Sequence, residues 1–213
     1  MNPFPVILSA PSGGGKTTIA RALLARRMDL GYSVSCTTRP PRAGERDGRD
    51  YYFLARRDFI DRQERGAFAE SAEVHGNLYG TLRVEVDRVL DSGRHVIMDI
   101  DVQGALQFRR AFPQSVSVFV LPPSGEVLLH RLRERNTENG AQVVARLQSA
   151  LQELQAVDEY QYVVVNDDLE EAVGLVSSII DAEVASRDRV ANLRHQVTQL
   201  IERLEREIAI HTP

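Results

Sequence analysis

Lys16 is the only lysine in a chain of 213 residues; every other cationic side chain apart from five histidines is an arginine. It closes the stretch Ala10-Pro11-Ser12-Gly13-Gly14-Gly15-Lys16-Thr17, which fits the phosphate-loop pattern G-x-x-x-x-G-K-[ST] with alanine in the first glycine position. Glycines let successive backbone N–H groups turn inward around phosphate oxygens, and the helix that follows adds its N-terminal dipole. In such a loop the Lys16 ammonium reaches the β- and γ-phosphates, and the Thr17 hydroxyl holds Mg²⁺. A compact ammonium on a flexible stem is hard to replace there by a guanidinium fork, so the one retained lysine carries information. Ala10 is tolerable because only left-handed backbone positions require glycine. Residues Ala10 to Thr17, with Thr18 beyond them, are therefore the expected triphosphate site. The alternative is a glycine-rich turn that binds nothing. The apolar run Val6-Ile7-Leu8 before it and the helical pattern after it favour the loop. The motif does not say what receives the phosphate.

Asp99 ends a second apolar run, Val96-Ile97-Met98, where phosphate-loop enzymes commonly place an acid near Mg²⁺ or its waters; a strand-end turn residue is the plainer reading. No covalent nucleophile is evident and none is needed. Cys36 reads as a packing residue, and His75 and His95 lack metal-ligand partners at recognisable spacing. The only metal expected is Mg²⁺ delivered with the nucleotide.

The acceptor is suggested by Thr37-Thr38-Arg39-Pro40-Pro41-Arg42-Ala43-Gly44-Glu45-Arg46-Asp47-Gly48-Arg49-Asp50-Tyr51-Tyr52-Phe53. This segment resembles the guanylate kinase signature T-T-R-x-x-R-x-G-E-x-x-G-x-D-Y-x-F. Phe68-Ala69-Glu70, Gly76-Asn77-Leu78-Tyr79-Gly80-Thr81, Asp99-Ile100-Asp101-Val102-Gln103-Gly104, Arg131-Leu132-Arg133-Glu134-Arg135-Asn136-Thr137 and Asn166-Asp167-Asp168 follow in the order of the same family. The resemblance runs from about Val6 to Ala185. It implies an enzyme moving the γ-phosphoryl group of ATP onto GMP. It further implies that Arg39, Arg42, Tyr51 and Tyr79 grip the GMP phosphate, that Ser35, Glu70, Thr81 and Asp101 face the guanine, and that Gly80 lets the backbone approach the nucleotide. Arg131, Arg135 and Arg146 would belong to a mobile lid over ATP, and Asn166 would lie near the adenine.

The chemistry agrees with those roles. Guanine offers two donors, N1–H and the N2 amino group, which one carboxylate can accept together; adenine would turn a lone pair on a buried Glu70. A site built around a particular polar group can reject an analogue lacking it by roughly 10⁴ or more. Arginine forks suit a phosphate bidentately. Read alone, Arg39 and Arg42 could be solvated loop residues, and Glu70 a surface carboxylate. Two departures from the family are alanine at position 10 and the lid, where Asn136 replaces a glycine and Asn139-Gly140-Ala141-Gln142 carries no acid.

These residues need elements to hold them. Strands are expected at Val6–Leu8, His95–Asp99, Val116–Leu121 and Tyr162–Val165. Helices are expected after the phosphate loop and at Val84–Leu90, Val102–Ala111, Gly125–Arg135, Gln142–Val157 and Leu169–Ser186. Apolar strands alternating with helices predict an α/β fold, a parallel sheet covered on both faces. The segment Ser33–Thr81, with short β pieces at Ser33–Arg39, Tyr51–Leu54 and Ala69–His75, breaks that rhythm and reads as an insertion. With the resemblance, the division is a phosphate-loop kinase domain over residues 4–185, a GMP-binding subdomain over about 37–83, a lid over about 126–157 and a C-terminal amphipathic helix over 186–213. In that tail Val190, Leu193, Val197, Leu200 and Leu204 alternate spacings of three and four, widened by Ile201 and Ile208. This is the pattern of a helix that pairs with a second copy or folds back on its own subunit.

Composition narrows the class. A formal charge of −4 gives no overall basic field for nucleic acid, one cysteine excludes an internal disulfide framework, and no run reaches the ~18 apolar residues of a membrane span. Met1-Asn2-Pro3-Phe4-Pro5 lacks a signal-peptide plan, and the expected location is the cytoplasm. Two rivals remain: a non-catalytic guanylate-kinase-like binding module, which would not keep Lys16, Thr17 and the lid arginines, and a kinase for another small phosphate acceptor such as a ribose bisphosphate, which has no use for Glu70 beside Tyr51 and Tyr79.

Overall fold

The computed structural model describes residues 2–74, 76–134 and 140–211. Its core sheet has five parallel strands in the order β2 (Leu30–Tyr32), β7 (His95–Asp99), β1 (Pro5–Ser9), β8 (Val116–Leu121) and β9 (Tyr162–Val165). Central β1 is buried along its whole length, and its side chains alternate between faces as a strand requires. Val6 and Leu8 join one cluster with Ile19 and Leu23 of α1 (Lys16–Arg26) and Val173, Val176 and Ile180 of α7 (Leu169–Val184). Ile7 joins another with Val86 and Val89 of α3 (Arg83–Asp91) and Ala105 and Phe108 of α4 (Val102–Ala111). The sheet is thus clothed on both sides, and β1 delivers its C-terminal end between β7 and β8, the crevice where open α/β sheets bind ligands.

Between β2 and β7 the chain builds a second sheet, in the order β4 (Tyr52–Phe53), β3 (Cys36–Thr37), β6 (Asn77–Leu82) and β5 (Phe68–Val74), with α2 (Arg56–Glu64) against it. Its small core holds Cys36, Phe59, Phe68, Leu78 and Leu82, and Phe59 stacks on Phe68 with centroids 4.4 Å apart. A register irregularity between Phe68 and Glu70 has the local effect of a β-bulge, which re-aims side chains. Ala69 there packs into the core-sheet cluster with Ile7 and Met98, tying the insertion to the sheet.

A third, smaller unit pairs α5 (Gly125–Glu134) with α6 (Gly140–Gln155) through Leu128, Leu132 and Ala150, with Leu147 and Leu154 packed against them. The last element, α8 (Leu193–His211), has no buried residue.

The expected bounds of β7, β8, β9 and α4 match those observed. The insertion differs more. Residues 30–32 form an edge strand of the core sheet paired with β7, and α2 had no counterpart in the sequence reading: it buries only Phe59, too little for a periodic signal. The C-terminal helix starts later than its heptad pattern indicates. Asn192 adopts a left-handed φ of 57°, breaking the chain between a short 3₁₀ turn at Arg187–Arg189 and α8, so Val190 lies outside the helix. His75, Arg135, Asn136 and Asn139 lie outside the described residues.

Candidate active site

The phosphate loop leaves β1 and closes onto α1. Gly13 and Gly15 have φ of +85° and +95°, the left-handed region that favours glycine, and Gly15 stands at the N-cap of α1. Gly14 is constrained by space rather than by backbone angle: a Cβ there would lie 2.6 Å from the Ala10 Cβ. Ala10, fully buried, is accommodated where the pattern has glycine because residue 14 has no side chain. The Gly14 N–H turns back to the Pro11 carbonyl at 2.7 Å.

Lys16, half-buried at the start of α1, has no carboxylate partner among the described residues. The Thr17 hydroxyl donates to Asp99 Oδ2, while Tyr32 OH donates to Asp99 Oδ1 at 3.0 Å. Burial, then the Asp99 charge, holds the Tyr32 hydroxyl well above its ordinary pKa, so it stays a donor. The sequence reading missed Tyr32, because a lone tyrosine at a strand end carries no signal. The Thr17 hydroxyl and Asp99 carboxylate form a small, hard oxygen set, and the described residues hold no group of three or more His, Cys, Asp or Glu that could hold a metal ion by itself. Such a set fits Mg²⁺, which keeps waters and phosphate oxygens around one or two protein ligands.

Above the loop, Asn166 Nδ2 donates to the Gly14 carbonyl at 2.9 Å. Its buried amide therefore braces the loop, a contact that the expected place near the adenine did not include. Arg131 Nη2 lies 3.4 Å from the Asn166 carbonyl, and Arg131 Nη1 is buried with no hydrogen-bond partner. A buried guanidinium N–H without a partner is costly, and an anion would satisfy it. Gly13, Gly15, Thr18, Arg131, Asn166, Asp167 and Leu169 line a cleft of about 390 Å³ here. Arg146 sits partly exposed on α6, and the expected Arg135 is outside the described residues.

The insertion supplies the other half. Glu70 is 6% exposed and accepts from Thr81 Oγ1 at 2.6 Å, and Ser35 Oγ lies 3.4 Å from Thr81 Oγ1. Burial pushes the Glu70 carboxyl up to about 7; the nearby Asp101 charge adds to this and the Thr81 hydrogen bond opposes it. Asp101 caps α4, accepting from the Gly104 N–H at 2.7 Å. A Cβ on Gly104 would lie 2.6 Å from Glu70 Oε2, so Glu70 and the α4 start are in close contact.

Arg39 is buried and bidentate to Glu45 at 2.6 and 2.7 Å, its guanidinium 4.9 Å from the Tyr51 ring centre. The Arg39 fork holds the Glu45 carboxyl down at about 2, and Glu45 raises the Arg39 pKa in turn. The Arg42 N–H donates to the same Glu45 oxygen at 2.7 Å, while its side chain is exposed. Tyr79 meets Tyr51 edge-on, centroids 6.1 Å apart. Glu45 belongs to the signature, but its residue type alone does not indicate that it holds Arg39. A Cβ on Gly80 would lie 3.0 Å from Phe59, Phe68 and the Glu70 carbonyl, so packing inside the insertion also favours glycine there, beside the expected approach to the nucleotide. Arg21 of α1 lies 3.7 Å from Asp50 of the insertion, and burial, then the Asp99 charge, raises the Tyr51 hydroxyl. The two halves therefore face each other.

Residues 2–183 match the family model described as guanylate kinase. The chain is 44% identical over 195 residues to a guanylate kinase of Thermotoga maritima, covering 90% of this chain and 94% of that one. It is 45% identical over 193 residues to a guanylate kinase of Nitrosomonas europaea, covering 91% and 94%. Among solved structures, guanylate kinase from Anaplasma phagocytophilum superposes with a TM-score of 0.75 at 36% identity, over 91% of this chain and 92% of that one.

Proposed function

The chain belongs to the guanylate kinase family, and from that premise we propose how its residues divide the work. It is an ATP:GMP phosphotransferase, giving ADP and GDP. A GMP phosphate oxygen forms the new bond to the γ-phosphorus while the bond to the β,γ-bridging oxygen breaks, and ADP leaves with that electron pair. A loose transition state of this kind asks the protein for alignment and charge neutralisation.

The phosphate loop, Ala10 to Thr18, cradles the ATP phosphates with its N–H groups, and Lys16 neutralises charge at the β,γ-bridge. Thr17 and Asp99 would hold Mg²⁺, with Tyr32 orienting the carboxylate. The ion, when bound, would neutralise charge on the transferring phosphoryl group. Arg131 adds the donor supported by its unpaired Nη1, joined by Arg135 and Arg146 from the lid, and Asn166 holds the loop beside the adenine cleft. In the insertion, Arg39, Arg42, Tyr51 and Tyr79 hold the GMP phosphate. Glu70 takes the two guanine donors, with Ser35, Thr81 and Asp101 around it and Gly80 behind. The units at about 37–83 and 126–157 close on the core of the 4–185 domain, excluding water.

The observation that carries the base assignment is a carboxylate of the insertion that is 6% exposed, with one oxygen taken by Thr81. A coupled assay with GMP, AMP, CMP and UMP tests it. GMP should exceed each of the others by about 10⁴ in kcat/KM; comparable use of AMP would refute the reading. We also assign the protein to the cytoplasm, where its nucleotides are; among the described residues no helix is long and apolar enough to cross a membrane. Finally, α8 pairs with a second copy of this chain, a role supported by its alternating apolar stripe.

A further inference from the structure

The phosphate loop is held from a direction that the reaction does not call for. The Ser12 N–H donates to Glu153 Oε2 at 2.9 Å, across 141 positions of sequence. Glu153 lies near the C-terminal end of α6 (Gly140–Gln155), and its neighbour Leu154 packs with Leu128, Leu132 and Ala150 in the cluster that joins α5 to α6. The same cluster rests on the loop at the next residue. A Cβ on Gly13 would lie 3.6 Å from Arg131 Cβ and Leu132 Cδ2 and 3.8 Å from Leu128 Cδ1. One end of the lid therefore touches the loop through apolar side chains at Gly13 and through a carboxylate at Ser12.

We propose that Glu153 is a positioning residue for the donor site, pinning the phosphate loop to the root of the lid so that the loop's remaining N–H groups stay turned toward the nucleotide. A negative charge beside a polyanion site is unfavourable by itself. A charge-assisted hydrogen bond to a backbone donor, stronger than a neutral one, works against that repulsion, in a loop whose glycines leave it free to take other conformations. The pin sits at the last turn of α6. Arg146 lies two turns earlier on the same helix, so the arginine-bearing parts can move while this end stays fixed. A fixed loop binds ATP without ordering it anew, which is the usual gain of preorganisation. This rests on the donor-site reading above.

The test is binding of the β,γ-imido analogue of ATP, with steady-state KM for ATP and GMP, in the whole enzyme and in Glu153→Ala, Glu153→Gln and Glu153→Asp. Loss of a hydrogen bond to a charged group should weaken the analogue about tenfold or more in Glu153→Ala, with KM for GMP unchanged. Glu153→Gln keeps an acceptor oxygen at the same reach; its bond is weaker, but the repulsion between the carboxylate and ATP is gone, so binding should stay within about threefold of the native enzyme. Glu153→Asp, one methylene short, should resemble alanine and covers the case in which Glu153→Ala does not fold. Unchanged or tighter binding in Glu153→Ala and Glu153→Asp overturns the proposal, because the charge would then merely repel ATP. A glutamine variant as weak as alanine, or a GMP KM rising in the same ratio, overturns it too. If the native enzyme itself fails to bind the analogue, the donor-site reading has failed and this inference falls with it.

Discussion

The proposed donor half centres on one contiguous stretch, residues 10–18, whose backbone N–H groups and single ammonium would meet the phosphates, with Asp99, Arg131 and Asn166 beside it. The acceptor half gathers Ser35, Arg39, Glu70, Tyr79, Thr81 and Asp101 from strands, loops and a helix start. Its charged groups already have partners inside the protein: Arg39 holds Glu45, Glu70 holds the Thr81 hydroxyl, and Asp101 caps α4. Lys16 has no such carboxylate among the described residues. A backbone cradle gains little selectivity, because every triphosphate looks alike to an N–H group. A pocket of buried, partnered side chains selects a base, at the cost of holding ionisable groups in low dielectric. The donor half should therefore fail with loss of one charge, and the acceptor half should fail with changes of hydrogen-bonding sense and of pH.

The largest effect is expected at Lys16. Lys16→Ala should lower kcat about 10³-fold, the scale for removing a preorganised donor from a developing charge, with the melting temperature little changed. Lys16→Arg should also be poor, because a fork cannot occupy the place of a point charge. Near-native turnover in Lys16→Ala would show that the loop neutralises the bridge without it and would dissolve the contrast. Next comes Glu70→Gln, which keeps the shape but replaces one acceptor oxygen by a donor. It should lower kcat/KM for GMP at least ~10²-fold while leaving KM for ATP alone; an equal loss on both substrates would mean that the two halves are not separable.

A smaller effect should appear on titration. The Glu70 carboxyl sits at about 7 in the free protein, and only its ionised form can accept two guanine donors. Below about pH 7, KM for GMP should rise, approaching tenfold per pH unit, and should be flat above it. The GMP phosphate also titrates, near pH 6 for a phosphate monoester, so the comparison is with Glu70→Gln, which should lack the Glu70 component. Folding stability should respond in the opposite sense. A carboxyl raised from 4.5 to about 7 by burial binds more protons folded than unfolded, so its contribution falls as pH rises through that window. KM for ATP should show no such dependence. A GMP profile identical in the native and glutamine enzymes would remove Glu70 from base reading.

The same contrast governs what could be read from sequence. The phosphate loop was legible because contiguous residues carry its function, and β7, β8 and β9 because uninterrupted apolar runs end in turn residues. Arg39, Glu70 and Asp101 became legible only as parts of an ordered set of motifs, since each alone could be a surface charge. The contacts of Tyr32 and Glu153 were not legible: each reaches a residue far away in the chain, Asp99 and Ser12 respectively, and neither belongs to a local pattern. The packing reason for Gly80 was also hidden, because nothing in Leu78-Tyr79-Gly80-Thr81 reveals that Phe59 and Phe68 fill the space. Helix α2 was missed because a charged helix that buries one phenylalanine has almost no periodicity.

The smallest effect on activity should come from the region least like either half of the site. The match to the family model ends at residue 183, and α8 beyond it leaves Val197, Leu200, Ile201, Leu204 and Ile208 between 44% and 65% exposed. Leu193, Val197, Leu200 and Leu204 keep the alternating spacing of a coiled-coil seam even without Val190, and Ile201 and Ile208 continue it on the adjoining row. Arg203 and Glu207 pair at 2.9 Å on its flank. A nineteen-residue helix whose apolar stripe is this exposed among the described residues is marginal in water by itself, and the same stripe on a second copy is a self-complementary partner through two-fold symmetry. Removal of α8 must spare what precedes it, because Arg189 lies 4.1 Å above the Phe4 ring and pairs with Glu183 at 3.0 Å. A chain ending at Ala191 keeps both contacts. It should retain native kcat and both KM values per active site, since the assigned residues all lie at or before Asn166, but it should sediment as a monomer where the full chain self-associates. If both chains sediment as monomers, or both as the same oligomer, α8 does not join two copies; if the shorter one loses activity, the tail serves the site after all.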